Sequence, residues 1–72
     1  MKSKTEIVKP LESVKVKTKE QVIILCASNV KININIEDIN INQSFILNVK
    51  DCEVEVINKS NTNNVYVMYY PD

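Results

Sequence analysis

Val30-Lys31-Ile32-Asn33-Ile34-Asn35-Ile36 places an apolar residue at every even position and Lys or Asn at every odd one. This period of two marks a strand with one buried and one wet face. From residue 39 to residue 49 the apolar positions become odd: Ile39, Ile41, Phe45, Leu47 and Val49. Gln43 is the polar exception and Ile46 the apolar residue out of phase. A two-residue turn at Glu37-Asp38 reconciles the two parities, because Ile36 then pairs with Ile39 and Ile34 with Ile41, and both strands bury the same face. Lys50-Asp51 repeats the arrangement, pairing Val49 with Cys52 and Leu47 with Val54 and leaving Glu53 and Glu55 outward. The expectation is a central three-stranded meander with one apolar face. The chain has no glycine, the residue tight hairpins favour, although aspartate tolerates positive φ. Wider corners at which the chain passes from one sheet to another satisfy the same pattern.

Three further strands flank this region. Residues 13–18 alternate Val14 and Val16 with Lys15 and Lys17, a pattern suited to an exposed edge where lysine discourages unwanted pairing. Residues 21–27 contain the run Val22-Ile23-Ile24-Leu25-Cys26-Ala27, as in a central strand covered on both faces. After a polar loop over residues 58–64 comes Val65-Tyr66-Val67-Met68-Tyr69-Tyr70, rich in strand formers and stopped by Pro71. No window has helical spacing. The fold class expected is all-β: a small six-stranded antiparallel sandwich, jelly-roll-like or a partly open barrel. Residues 1–12 read as an extended N-terminal arm and residues 13–72 as a single β domain.

A chain of 72 residues buries only about 60% of its unfolded surface. Its core is therefore small, yet the strands carry apolar residues on more faces than one sheet can cover. Surplus apolar surface of this kind is met by association, so the partners expected are further copies of the chain and another protein. The formal net charge is zero, but unevenly spread. Residues 1–20 hold six lysines against Glu6, Glu12 and Glu20, a balance of +3, whereas residues 21–58 hold two lysines against five acids, a balance of −3. A basic segment docking on an acidic surface is one reading and two solvated faces the other. Neutrality, the absence of arginine and the lack of a basic stripe interleaved with aromatics argue against nucleic acid.

The residue types for catalysis are few. There is no histidine to serve as general base, and no arginine or glycine for a phosphate fork or cradle. No enzyme activity, cofactor or metal is expected, since two lone cysteines without histidine lack the usual ligand set. Cys26 and Cys52 read as buried free thiols in a reducing compartment. Residues 1–20 have a charged start but no apolar core of a secretory signal, and the longest apolar run is too short to cross a bilayer. A cytoplasmic or virion location, with no membrane partner, is the expectation.

The residues singled out for partner binding are Tyr66, Met68 and Tyr70, alternating on one strand face; Glu53 and Glu55, an acidic pair; and Ile7, Val8 and Leu11, anchors of the arm. Tyrosine and methionine are enriched at interfaces, although the same residues also cap cores. Lysine without arginine, with abundant Asn and Ile, resembles the bias of A/T-rich coding found in low-GC bacteria and their phages. These features suggest a non-enzymatic structural component of a phage-type virion, such as a capsid-decorating or connector subunit. A small inhibitor presenting an acidic sheet face to a host protein, and a small-molecule-binding β-module at a dimer seam, are the alternatives.

Overall fold

The computed structural model describes residues 2–34 and 36–71. Met1, Asn35 and Asp72, which the sequence reading places in the arm, the first meander strand and the domain's end, lie outside the described residues. Eight strands follow in order: β1 (Lys4–Val8), β2 (Ser13–Thr18), β3 (Gln21–Leu25), β4 (Val30–Ile34), β5 (Glu37–Ile41), β6 (Phe45–Asn48), β7 (Cys52–Asn58) and β8 (Val65–Tyr69). They form two four-stranded sheets, β1-β8-β3-β6 and β2-β7-β4-β5, with every neighbouring pair antiparallel. The chain crosses from one sheet to the other at every connection except β4–β5. The result is an all-β sandwich of eight strands where the sequence suggested six.

Alternation dictates the core. Val16, Ile32, Val54 and Val56 from one sheet and Val22, Ile24, Val65 and Val67 from the other are almost fully buried. Each such side chain contributes about 1.5–3 kcal/mol relative to exposure. The sheets approach most closely where β1 meets β2 and β7 and where β2 meets β8. Towards β5 and β6 the inward residues Ile34, Ile39, Ile41, Leu47 and Val49 are only partly buried.

The meander is the main correction. Its first hairpin exists, but Ile34 pairs with Glu37, Ile32 with Ile39 and Val30 with Ile41, so the reversal lies two residues before Glu37-Asp38. Ile36 is 99% exposed instead of pairing with Ile39. The shift keeps side-chain parity, so Val30, Ile32, Ile34, Ile39 and Ile41 still face inward, and it brings Lys31 Nζ within 3.3 Å of Asp38 on the outer face. The stretch from 39 to 49 is not one strand. It breaks at residues 42–44, where the Cys26 amide donates to Ser44 Oγ (3.3 Å) and the Cys26 thiol to the Gln43 carbonyl (3.3 Å), pinning the corner to the end of β3. Leu47 therefore pairs with Val22, and Val54 with Val16 and Ile34, not with each other.

No hairpin forms at Lys50-Asp51, because that segment is bound to the β2–β3 corner. The amides of Val49 and Asp51 donate to the carbonyls of Glu20 and Lys19, both at 3.1 Å. Asp51 takes φ 48° there, a left-handed position that aspartate accepts more readily than most residues, and it meets Lys19 Nζ at 3.1 Å.

Two further expectations change. Residues 4–8 of the stretch read as an N-terminal arm form β1, which pairs with β8 of the same chain and buries Val8. β3 is an inner strand, as expected, but only Val22 and Ile24 reach the core; Ile23 is half-buried and Leu25 exposed on the outside of the sheet.

The loop after β7 is built on a buried polar residue. Asn58 is fully buried; its Nδ2 donates to the carbonyls of Val8 (3.0 Å) and Asn63 (2.7 Å), and its Oδ1 accepts from the Ser60 amide (3.0 Å). Ser60 Oγ then accepts from the amides of Thr62 and Asn63. Every polar atom of the Asn58 side chain is thus matched, as burial requires.

Candidate functional site

The two outer faces of the sandwich differ in kind. On the β2-β7-β4-β5 sheet, the outward positions hold charge of both signs. Lys15 stands opposite Glu55 and Lys17 opposite Glu53. Glu55 also accepts a hydrogen bond from Asn33 Nδ2 at 2.9 Å across β4. The surface expected to be an acidic patch around Glu53 and Glu55 is therefore a charge-alternating one. The positive balance of residues 1–20 and the negative balance of residues 21–58 meet within one molecule, along the β2–β7 ladder.

On the β1-β8-β3-β6 sheet the outward positions are apolar. One row across the sheet is Ile7–Tyr66–Leu25 and the next is Thr5–Met68–Ile23–Ile46. Ile7 and Ile46 are each 57% exposed, Leu25 46% and Tyr66 43%, while Ile23 and Met68 are half-buried. A row of Gln21 and Asn48 follows. No Asp, Glu, Lys or Arg occupies an outward position of the four strands. Contiguous exposed apolar surface on this scale marks a contact site more often than chance.

The structure brings together Tyr66, Met68 and Ile7 of the residues singled out from sequence, while half-buried Tyr70 follows at the end of β8. It separates the others. Val8 is core, Leu11 sits 70% exposed in the turn before β2, and Glu53 and Glu55 lie on the opposite sheet. Leu25, Ile23 and Ile46 complete the apolar face and were not among the candidates. The signal for Ile46 was its break of phase; an exposed strand position that is apolar has no packing reason inside the fold.

Open clefts indent the surface of the described residues. One, about 460 Å³, is lined by Lys17, Lys19, Asp51, Cys52, Glu53 and Pro71 among others, with its charges facing partners of opposite sign. A second, about 340 Å³, lies on the charged face between Lys15, Asp38 and Glu55. The third, about 420 Å³, adjoins the apolar face between Leu25, Tyr66 and the 62–64 loop. Among the described residues no group of His, Cys, Asp and Glu converges as a metal site would require. Cys26 and Cys52 are free and half-buried. Burial pushes the Cys26 thiol above its ordinary value, partly offset by a backbone hydrogen bond at Ser28. Tyr69, whose hydroxyl donates to Glu6 Oε1 at 3.5 Å, is likewise held above the ordinary phenol value, first by burial and then by the Glu6 charge and hydrogen bond.

The sequence matches no family model and no curated protein. The fold does match solved structures. A de novo designed double-stranded β-helix, solved by solution NMR, is similar with a TM-score of 0.74 over 96% of this chain and 97% of its own, at 14% identity. The plu4264 protein of Photorhabdus luminescens is similar with a TM-score of 0.67 at 22% identity; the alignment covers 94% of this chain and 60% of that one. At these identities the likeness concerns the fold alone, and the architecture of this chain is that of a double-stranded β-helix.

Proposed function

We propose that this chain is a non-enzymatic assembly module that docks on protein through the outer face of its β1-β8-β3-β6 sheet. The observation that carries the reading is the contrast between the two outer faces, one balanced in charge and one apolar across all four strands. The virion setting, a capsid-decorating or connector subunit in the host cytoplasm or in a particle, is part of the same proposal and is supported by the coding bias of the composition. The inhibitor reading has less support, because Glu53 and Glu55 stand opposite Lys17 and Lys15.

The test is a doubly charged face. Leu25→Glu combined with Ile46→Glu, both at exposed positions, should convert the chain from a complexed to a free species in native-mass profiles of the producing cell. Identical profiles for the two proteins, with both folded, would overturn the docking reading.

A further inference from the structure

We infer that the occupant of the apolar face is a second copy of the same chain, packed sheet on sheet about a two-fold axis passing near Met68 and Ile23. The inference rests on the docking reading above and names its partner. In a two-fold contact each residue meets the same patch it belongs to, and a residue near the axis meets its own counterpart. A charge at the centre of such a face would therefore be set against the same charge. The outward positions of β1, β8, β3 and β6 satisfy that condition, since none is charged. A face shaped for a different, charged partner would carry groups to match it.

Polarity within the face has the order of an interface. Met68 and Ile23 are cross-strand neighbours on the two inner strands, flanked by Ile46, Leu25 and Tyr66, and the amides of Gln21 and Asn48 and the hydroxyl of Thr5 lie towards the periphery. Polar groups thus flank part of the apolar centre, as at the rim of a protein contact, while Ile7 and Ile46 carry the apolar surface out to the two edge strands.

Size and charge agree. The molecule measures 32 × 25 × 17 Å, and the short dimension accommodates two sheets stacked about 10 Å apart. The broad face, 32 × 25 Å at its widest, bounds a contact there at about the 800 Å² per partner of a standard interface. With a formal net charge of zero, two copies approach without mutual repulsion. Twisted sheets of one hand stack with their strands about 30° apart, which two identical faces can do.

The test uses the full chain. Sedimentation equilibrium of the pure protein should show twice the 8.3 kDa chain mass at high concentration, dissociating on dilution. Met68→Glu and Met68→Lys should each weaken the dimer at least about a hundred-fold, and an equimolar mixture of the two should associate again, because each faces the other across the axis. Only a homotypic contact centred there gives that rescue. On unmodified protein, dilution-dependent NMR shifts should cluster on the outward residues of β3 and β8, which gives a reading should the Met68 variants fail to fold. A pure chain that stays monomeric, or a dimer whose shifts lie elsewhere, overturns the inference. If that monomer still loses a cellular complex on Leu25→Glu with Ile46→Glu, the docking reading stands with a different protein as occupant. If neither association responds, both fail.

Discussion

Asn58 shows how much one polar side chain carries in a core this small. It joins β1, the end of β7 and the 58–64 loop through three hydrogen bonds from a fully buried position. Asn58→Ala leaves the Val8 and Asn63 carbonyls and the Ser60 amide without that partner, and should destabilise the fold by about 2–4 kcal/mol, read as a lower denaturant midpoint. Leu11 works in the other direction. At φ 65° and largely exposed, it occupies a left-handed position that costs an L-residue about 1–2 kcal/mol. Leu11→Gly should therefore raise stability by about 1 kcal/mol after the entropy of glycine is counted, and a lower melting temperature would refute the strain. Tyr69 gives a pH dependence. Its folded value is raised, so its contribution is complete below the ordinary tyrosine value near 10 and is lost as pH rises through the folded value. Tyr69→Phe should move the alkaline unfolding midpoint upward, and an unchanged midpoint would assign alkaline unfolding to another group. None of these three roles was legible in the sequence. Asn58 sat in what read as a polar loop, and with no glycine to mark left-handed positions nothing distinguished Leu11.

At the scale of elements, most strands were legible, β1 and the break between β5 and β6 excepted, and most of their pairings were not. Parity survives any even register shift, which is why residues 30–34 and 37–41 bury the expected side chains although the pairing is displaced by four residues from the one expected. Parity also runs unbroken through the corner at residues 42–44, so β5 and β6 read as one strand although they lie in different sheets. What decides such corners is hydrogen bonding to segments remote in sequence, as at Val49 and Asp51, and that has no local signature. The β2–β7 ladder makes its own prediction. Lys15→Glu with Lys17→Glu sets like charges opposite Glu55 and Glu53, which should cost up to about 1 kcal/mol per pair, less in high salt. Adding Glu53→Lys with Glu55→Lys should restore the loss. A quadruple variant no more stable than the double would show that the pairs do not interact.

For the whole molecule, the division of labour between the faces matters more than any single site. One outer face carries charges of both signs and the other exposed apolar side chains, the feature on which the docking proposal rests, while the core between them is Val and Ile on both sides with Tyr69 at its margin. Half of the apolar face was legible in the sequence: Tyr66 and Met68 because β8 alternates cleanly, and Ile7 as an apolar residue of a stretch otherwise rich in lysine. Leu25 and Ile23 were hidden in a run of apolar residues that alternation cannot divide. Since no outward position of that sheet is charged, the dissociation constant of the proposed dimer should change less than about three-fold between low and high salt; a steep salt dependence would place charged groups in the contact.

Lys4 pairs with Tyr69, so the two ends of the described fold lie side by side, with Cα atoms about 4.5–5.5 Å apart as in any antiparallel pair. The fold is in effect a ring with one seam. Sealing that seam with a short linker and opening new ends within the exposed 42–44 corner should yield a circular permutant with the same strand pairing. By the same geometry, the domain can be spliced into a surface loop of another protein through a single point, displaying its apolar face without spreading the host's backbone.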